Sequence, residues 1–151
     1  MGELDNLILS GLPRTEQDRL RPRLVARDLD VGTVLYEANQ PVEQLVLPRS
    51  GIVSLVQDLE DGHTGEIGVV GYEGAVGLGL VLASDRQPNR AVIQSAAAAW
   101  LLPADAVAEE AEGATPFHRR LLRFTQALMT QIQQTAICNR HHTIQQQLAR
   151  W

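Results

Sequence analysis

Apolar and polar positions follow three rhythms along the chain. Residues 4–20 carry two short helix signals: the apolar group Leu4, Leu7 and Ile8, then Thr15 followed by Asp18 and Leu20, a capped start with a carboxylate in the first turn. From Val31 the pattern changes to period two with turn punctuation. The segments TVLYEANQP and EQLVLPRSGIVSLVQDLEDGHTGEIGVVGYEG, with turns at Pro48 to Gly51 and at Asp61-Gly62, predict short antiparallel strands. Further strands are expected in AVGLGLVL, RAVIQSA and AAAWLLP. No helical repeat interrupts the series, which predicts a closed or sandwiched all-β unit, a barrel or roll.

Pro103 ends the last strand, and ADAVAEEAEG predicts a short acidic helix stopped at Gly113. A long helix then begins, with Thr115 as N-cap and Pro116 at the first helical position, where a missing N–H costs nothing. Phe117, Leu121, Phe124, Leu128 and Ile132 recur at three- and four-residue steps, an amphipathic stripe. The stripe is narrow and the helix should overhang a small roll, so it is expected to pair two subunits in parallel. Folding back on its own barrel is the alternative. The pattern breaks near Asn139 to His142, and Thr143 with Gln146 has the capping-box spacing of another helix running into Trp151. Three units are therefore expected: a roll with N-terminal helices over 1–113, a dimerisation helix over 114–140, and over 141–151 a hinge and the start of a helix leading to a further domain.

The chain of 151 residues, 44% hydrophobic and 21% charged, is that of an ordinary globular domain. No apolar run is long enough for a membrane span and the first residues lack a signal peptide's basic start, so a cytoplasmic protein with no membrane partner is expected. The single Cys138 cannot supply the thiolates of an iron–sulfur cluster or a zinc site, and no cofactor is expected. The net charge of −5 is uneven: all carboxylates precede Gly113, while the rest of the chain carries Arg119, Arg120, Arg123, Arg140 and Arg150 alone. Such asymmetry marks either a nucleic-acid-facing end or a basic helix on an acidic body.

Three strings carry a family resemblance: GTVLYEANQPVEQLVLPRSGIVSL, VVGYEGAVGL with its glycines at Gly71, Gly74 and Gly77, and CNRHHTIQQQLARW. Together they resemble the Crp/Fnr family of bacterial transcription regulators, specifically its cyclic-nucleotide-binding-like sensor domain. The resemblance implies a mainly β fold with added helices: an antiparallel, jelly-roll-like β-roll flanked by short N-terminal helices and followed by a long dimerisation helix. It also implies a homodimer and DNA as partner, through a C-terminal helix-turn-helix domain that this chain lacks.

The cassette decides whether a cyclic nucleotide could be the effector. A cyclic phosphate needs backbone N–H groups and an Arg, and a carboxylate accepts the ribose 2′-hydroxyl. In family members that bind cyclic nucleotides a Glu directly follows the Gly opening the cassette. Here Gly74 and Gly77 fit the glycine positions, Ala75 stands at the Glu position with Val76 beside it, and Glu73 lies on the wrong side of Gly74. Asn89 aligns with the phosphate Arg; Arg90 is one residue along, on the opposite face of the strand, before Ala91. On the long helix Ile132 and Gln133 stand where the family contacts the purine. Typical cyclic AMP binding is therefore not expected: either an unidentified small-molecule effector takes its place or effector binding has been lost.

The remaining constellations are weaker. His118 and His141 lie about 34 Å apart along one helix at 1.5 Å per residue, too far to share an ion, and adjacent His141 and His142 diverge. His63 with Glu66 offers a fragment of a cupin metal site, and Cys138 a thiol near the hinge, though a lone small Cys is more often packing. Tyr72 and Trp100 could line a pocket or serve as core aromatics. No nucleophile triad or phosphate loop is present. The expected function is non-catalytic: the effector-sensing and dimerisation half of a DNA-binding regulator. Alternatives are a cupin-like metalloenzyme and a stand-alone dimeric ligand-binding module.

Overall fold

The computed structural model describes residues 4–59 and 62–141, with side chains described as far as Ile137 in the last helix. Two short helices, α1 (Leu7–Ser10) and α2 (Arg14–Leu20), precede seven strands: β1 (Val25–Leu29), β2 (Val34–Tyr36), β3 (Gln44–Pro48), β4 (Ile52–Asp58), β5 (Thr64–Val70), β6 (Arg90–Ser95) and β7 (Ala97–Pro103). Helices α3 (Ala104–Glu112) and α4 (Pro116–His141) follow. The strands form two antiparallel sheets, ordered β1-β7-β3 and β2-β6-β4-β5. This is the expected β-roll with flanking helices and a long final helix.

Burial explains each element's sequence. β3 is apolar and buried from Leu45 to Pro48 because its sheet packs inward on the core while α3 lies on β3 and β7 from outside. β5 and β6 alternate more clearly, placing Val70, Ala91 and Ile93 inside, while β4 is buried continuously from Val53 to Leu55. β1 has no counterpart among the expected strands. Its sequence VARDL is almost wholly exposed, so no apolar alternation marks it; it is an edge strand held by pairing with β7.

Two further expectations are corrected. AVGLGLVL is not a strand: Val76 makes a single bridge to Val46, with paired bonds of 2.9 and 2.8 Å, and Leu80–Leu82 forms a 3-10 turn. Its glycines break regular pairing, and Gly77 adopts φ +96, a left-handed conformation that few other residues take. Helix α2 begins at Arg14 behind Pro13, so Thr15 lies inside the first turn and caps nothing. In α1, by contrast, the Asn6 side chain accepts from the N–H groups of Ile8 (3.0 Å) and Leu9 (3.4 Å).

The long helix starts where the sequence places it, with Thr115 Oγ1 accepting the His118 N–H at 3.2 Å. It remains helical through Asn139 and Arg140 to His141. The expected helix over 143–151, His142 and Asp61 of the Asp61-Gly62 turn lie outside the described residues.

The stripe of α4 packs on its own subunit, against β5, α1 and α3. Phe117 and Leu121 are fully buried and Leu128 nearly so; Phe124 and Ile132 are half-buried against the same core. Burying a Phe or Leu side chain stabilises a fold by roughly 1.5–3 kcal/mol, so this stripe alone secures the first half of α4. Phe117 and Leu121 are therefore core residues of the single chain and have no surface left for a partner. Phe117 and Leu121, expected at a subunit interface, are covered by their own chain instead, because periodicity reveals an apolar face and not what covers it.

Candidate functional site

The cassette runs from Gly71 to Leu82. Gly71 N–H donates to Glu73 Oε1 at 2.9 Å, which folds the exposed Glu73 side chain back over its own turn. Gly74 is buried beneath the ring of Phe124: a Cβ there would lie 2.2 Å from Phe124 Cζ and 2.7 Å from Val70 Cγ1. Ala75, Val76 and Gly77 are buried, with Ala75 and Val76 in the core. The Gln87 side chain sits over the 3-10 turn, its amide oxygen accepting from Leu78 N–H (3.1 Å) and Gly79 N–H (3.2 Å).

The position aligned with the phosphate Arg holds a neutral pair. Asn89, 6% exposed, donates through Nδ2 to the Tyr36 hydroxyl at 3.4 Å and to its neighbour's carbonyl, Arg90 O, at 3.2 Å. Burial pushes the Tyr36 phenol up to about 12, opposed by the Asn89 hydrogen bond, so the pair carries no charge at neutral pH. Arg90 does not turn inward. Its Nε lies 3.5 Å from Asp58 Oδ1 on neighbouring β4, and Asp85 and Glu73, the partners proximity in sequence suggests, are not its partners. Ala91 is completely buried.

The nine candidate cassette residues thus divide. Gly74, Ala75, Val76, Gly77, Asn89 and Ala91 gather in the buried interior, whereas Glu73 and Gln133 are exposed and Arg90 is directed to Asp58. Ile132 packs near Gly68, its Cγ1 3.4 Å from where a Cβ would stand, and closes the roll from the helix side together with Leu128. A phosphate brought to Asn89 would meet an amide and a phenol and no compensating positive charge from Arg90. Burying an uncompensated charge is among the costliest exchanges with water.

Sequence reading missed Tyr36, Gln87 and Asn6. Fully buried Asn6 donates through Nδ2 to Pro48 O and Gly74 O, both at 2.8 Å, tying α1 to the cassette. Leu7 N–H adds a 2.9 Å bond to Tyr72 O. No local signal announces such a tie, because its partners are distant in sequence.

The large exposed apolar side chains of α4 among the described residues are Leu122, Met129 and Ile137, on a face turned away from the buried stripe; Gln133 shares that exposure. Trp100 is half-buried, with the Arg49 guanidinium 4.8 Å from its ring centre, and Tyr72 is exposed. Among the described residues no three His, Cys, Asp or Glu side chains converge on one point. Glu66 accepts the Ser54 hydroxyl. The side chains of Cys138 and His141 lie outside the described set. No helix among the described residues is long and apolar enough to cross a membrane.

Comparison with known proteins agrees with the fold. The cyclic nucleotide-binding domain model matches residues 26–113. The c-di-GMP-responsive global regulator CLP of Xanthomonas campestris is 14% identical with a TM-score of 0.75, over 91% of this chain and 70% of that one. The N-terminal domain of a Streptomyces coelicolor A3(2) transcriptional regulator is 18% identical with a TM-score of 0.62, over 84% of this chain and 91% of that one. The regulatory subunit of a cAMP-independent protein kinase A from Trypanosoma brucei reaches 23% identity and a TM-score of 0.69, over 82% of this chain but only 44% of that chain. Curated proteins compared by sequence give no match. Roll, cassette and closing helix occur here in the order that the resemblance implies, and the family model spans more than half of the chain: it belongs to the cyclic nucleotide-binding domain family.

Proposed function

We propose that the chain is the effector-sensing and dimerisation module of a Crp/Fnr-type DNA-binding transcription regulator, acting in the cytoplasm, without catalysis, and with a cassette that does not take cyclic AMP. The observation that carries this reading is the buried neutral Asn89–Tyr36 pair at the position of the phosphate Arg, together with Ala75 at the position of the ribose Glu. Two subunits pair through α4, on the face bearing Leu122, Met129 and Ile137 rather than on the buried stripe. Leu122 and Met129 are one heptad apart, the spacing of a parallel helix seam. A helix-turn-helix domain following α4 makes the DNA contact. An effector shifts the packing of α4 against the roll, and the paired helices pass that shift on.

Isothermal titration with cyclic AMP and cyclic GMP, with Arg90→Ala as control, tests the ligand reading, and sedimentation tests the dimer. No heat from either nucleotide and a dimer at micromolar concentration are expected. Micromolar nucleotide binding lost in the control, or a strict monomer at high micromolar concentration, overturns the respective part.

A further inference from the structure

Between α1, the turn at Gly71 to Gly74 and the first half of α4 lies a cleft of about 290 Å³, lined by Leu7, Ile8, Glu73, Arg120, Arg123 and Phe124. Neither Tyr36 nor Asn89 lines it, so it is a different place from the cassette interior.

Its charges are arranged unusually for a surface groove. Arg120 is committed: Nη1 donates to Gly11 O and Nη2 to Leu7 O, both at 3.0 Å, at the end of α1, where Leu7 O also accepts the Gly11 N–H. Arg123 is not committed, and no hydrogen bond or ion pair joins it to another described residue. Glu73 takes only the Gly71 N–H and has no basic partner among the described residues. One open cation and one open anion therefore line the same cleft without pairing with each other. Leu7, which is 47% exposed, Ile8 and the edge of Phe124 add an apolar wall.

We propose that this cleft binds a free α-amino acid with an apolar side chain. A guanidinium suits a carboxylate through two parallel N–H donors, a carboxylate at Glu73 suits an ammonium group, and the apolar wall takes the side chain. The volume sits at the lower end of small-molecule sites, roughly 300–1,000 Å³, which fits an amino acid better than a nucleotide. An occupant touches the cassette turn and α4 at once. α1, which closes the cleft, is bonded to both, through Asn6 to Gly74 O at 2.8 Å and through Arg120 from α4. The inference goes beyond the regulator reading, since binding here depends neither on a nucleotide site nor on DNA.

The test is titration of the whole chain with L-phenylalanine and L-leucine, followed by calorimetry and by amide chemical shifts. Two analogues accompany them: 3-phenylpropionate, which lacks the ammonium, and 2-phenylethylamine, which lacks the carboxylate. Arg123→Ala and Glu73→Gln change exposed side chains, and their circular dichroism is compared with that of the parent chain. The expected result is a Kd of about 1 mM or tighter, shift changes confined to residues around 7–8, 73 and 120–124, and at least about tenfold weaker binding for each analogue and each variant. Absence of shift changes at about 10 mM amino acid, binding unchanged in both variants, or 3-phenylpropionate binding as well as L-phenylalanine would overturn the proposal. The last outcome would mean a plain anion site. Cyclic-nucleotide titration can succeed or fail independently, so the two readings are separable.

Discussion

Replacing Glu110 by Gln should destabilise the fold by about 2 kcal/mol at neutral pH. Glu110 is 2% exposed at the junction of three helices. Its carboxylate accepts both Arg19 Nη atoms of α2, the Nη2 bond at 2.8 Å, and the Thr115 hydroxyl at 2.6 Å, from the residue that caps α4. Breaking a buried pair costs 3–5 kcal/mol when the abandoned charge is stranded. Here the Arg19 side chain is 43% exposed and can rehydrate, and an amide oxygen keeps one acceptor, so the lower figure of about 2 kcal/mol applies. For a domain of this size that is a fall in Tm of about 4–8 °C. Burial alone would raise the Glu110 carboxyl, but the hydrogen bonds from Arg19 and Thr115 and the charge of Arg19 outweigh it, and the net shift is downward. A lowered folded value means stability that is present above the unfolded value near 4.3 and lost as pH falls through the folded one. Thermal melts of both proteins from pH 7 downwards should show a constant gap to about pH 5 that closes in stronger acid. Equal Tm values at pH 7, or a gap that persists unchanged in acid, would refute the reasoning.

Gly74→Ala should lower stability by about 1–3 kcal/mol, because the new Cβ meets Phe124 and Val70 at sub-contact distance; denaturant midpoints read this directly. Asn6→Ala should cost about 2–3 kcal/mol by leaving the carbonyls of Pro48 and Gly74 unmet and removing the α1 cap, with faster amide exchange at the α1 N-terminus as its local signature. In a spectrophotometric titration, one phenol ionises near pH 12 and vanishes in Tyr36→Phe. Because the fold prefers the neutral phenol, stability should fall between about pH 10 and 12 in the parent and less so in that variant. Leu122→Asp with Met129→Asp should abolish the proposed pairing through α4 and give monomers in sedimentation, with the fold retained in circular dichroism, since both side chains are exposed in the single chain.

Much of the fold was legible because local rules and tertiary context agree. Strands β2 to β7 alternate or run apolar between turn residues, and α3 and α4 start and stop at Pro103, Gly113, Thr115 and Pro116, where capping chemistry demands it. Where packing alone stabilises an element, the signal was missing. β1 exists through its pairing with β7, and the Ala75 to Leu82 segment mimics strand composition while its glycines and bridge to Val46 make it a turn.

The substitutions that empty the cassette of charge, Ala75 and Asn89, are visible in the sequence once the family pattern is laid over it, because they are matters of residue identity. What stands in their place is not: the Tyr36 phenol reaches Asn89 across 53 positions, and Arg90 is drawn to Asp58 by strand pairing. Composition, caps and periodicity alone determined a barrel or roll of short antiparallel strands followed by one long amphipathic helix. Tertiary structure decided what covers the apolar face of that helix, that Asn6 holds the cassette, and that Arg123 and Glu73 share a cleft. Those relations join residues such as Leu7 and Arg120, 113 positions apart, and helical or strand periods carry no information about contacts at that range.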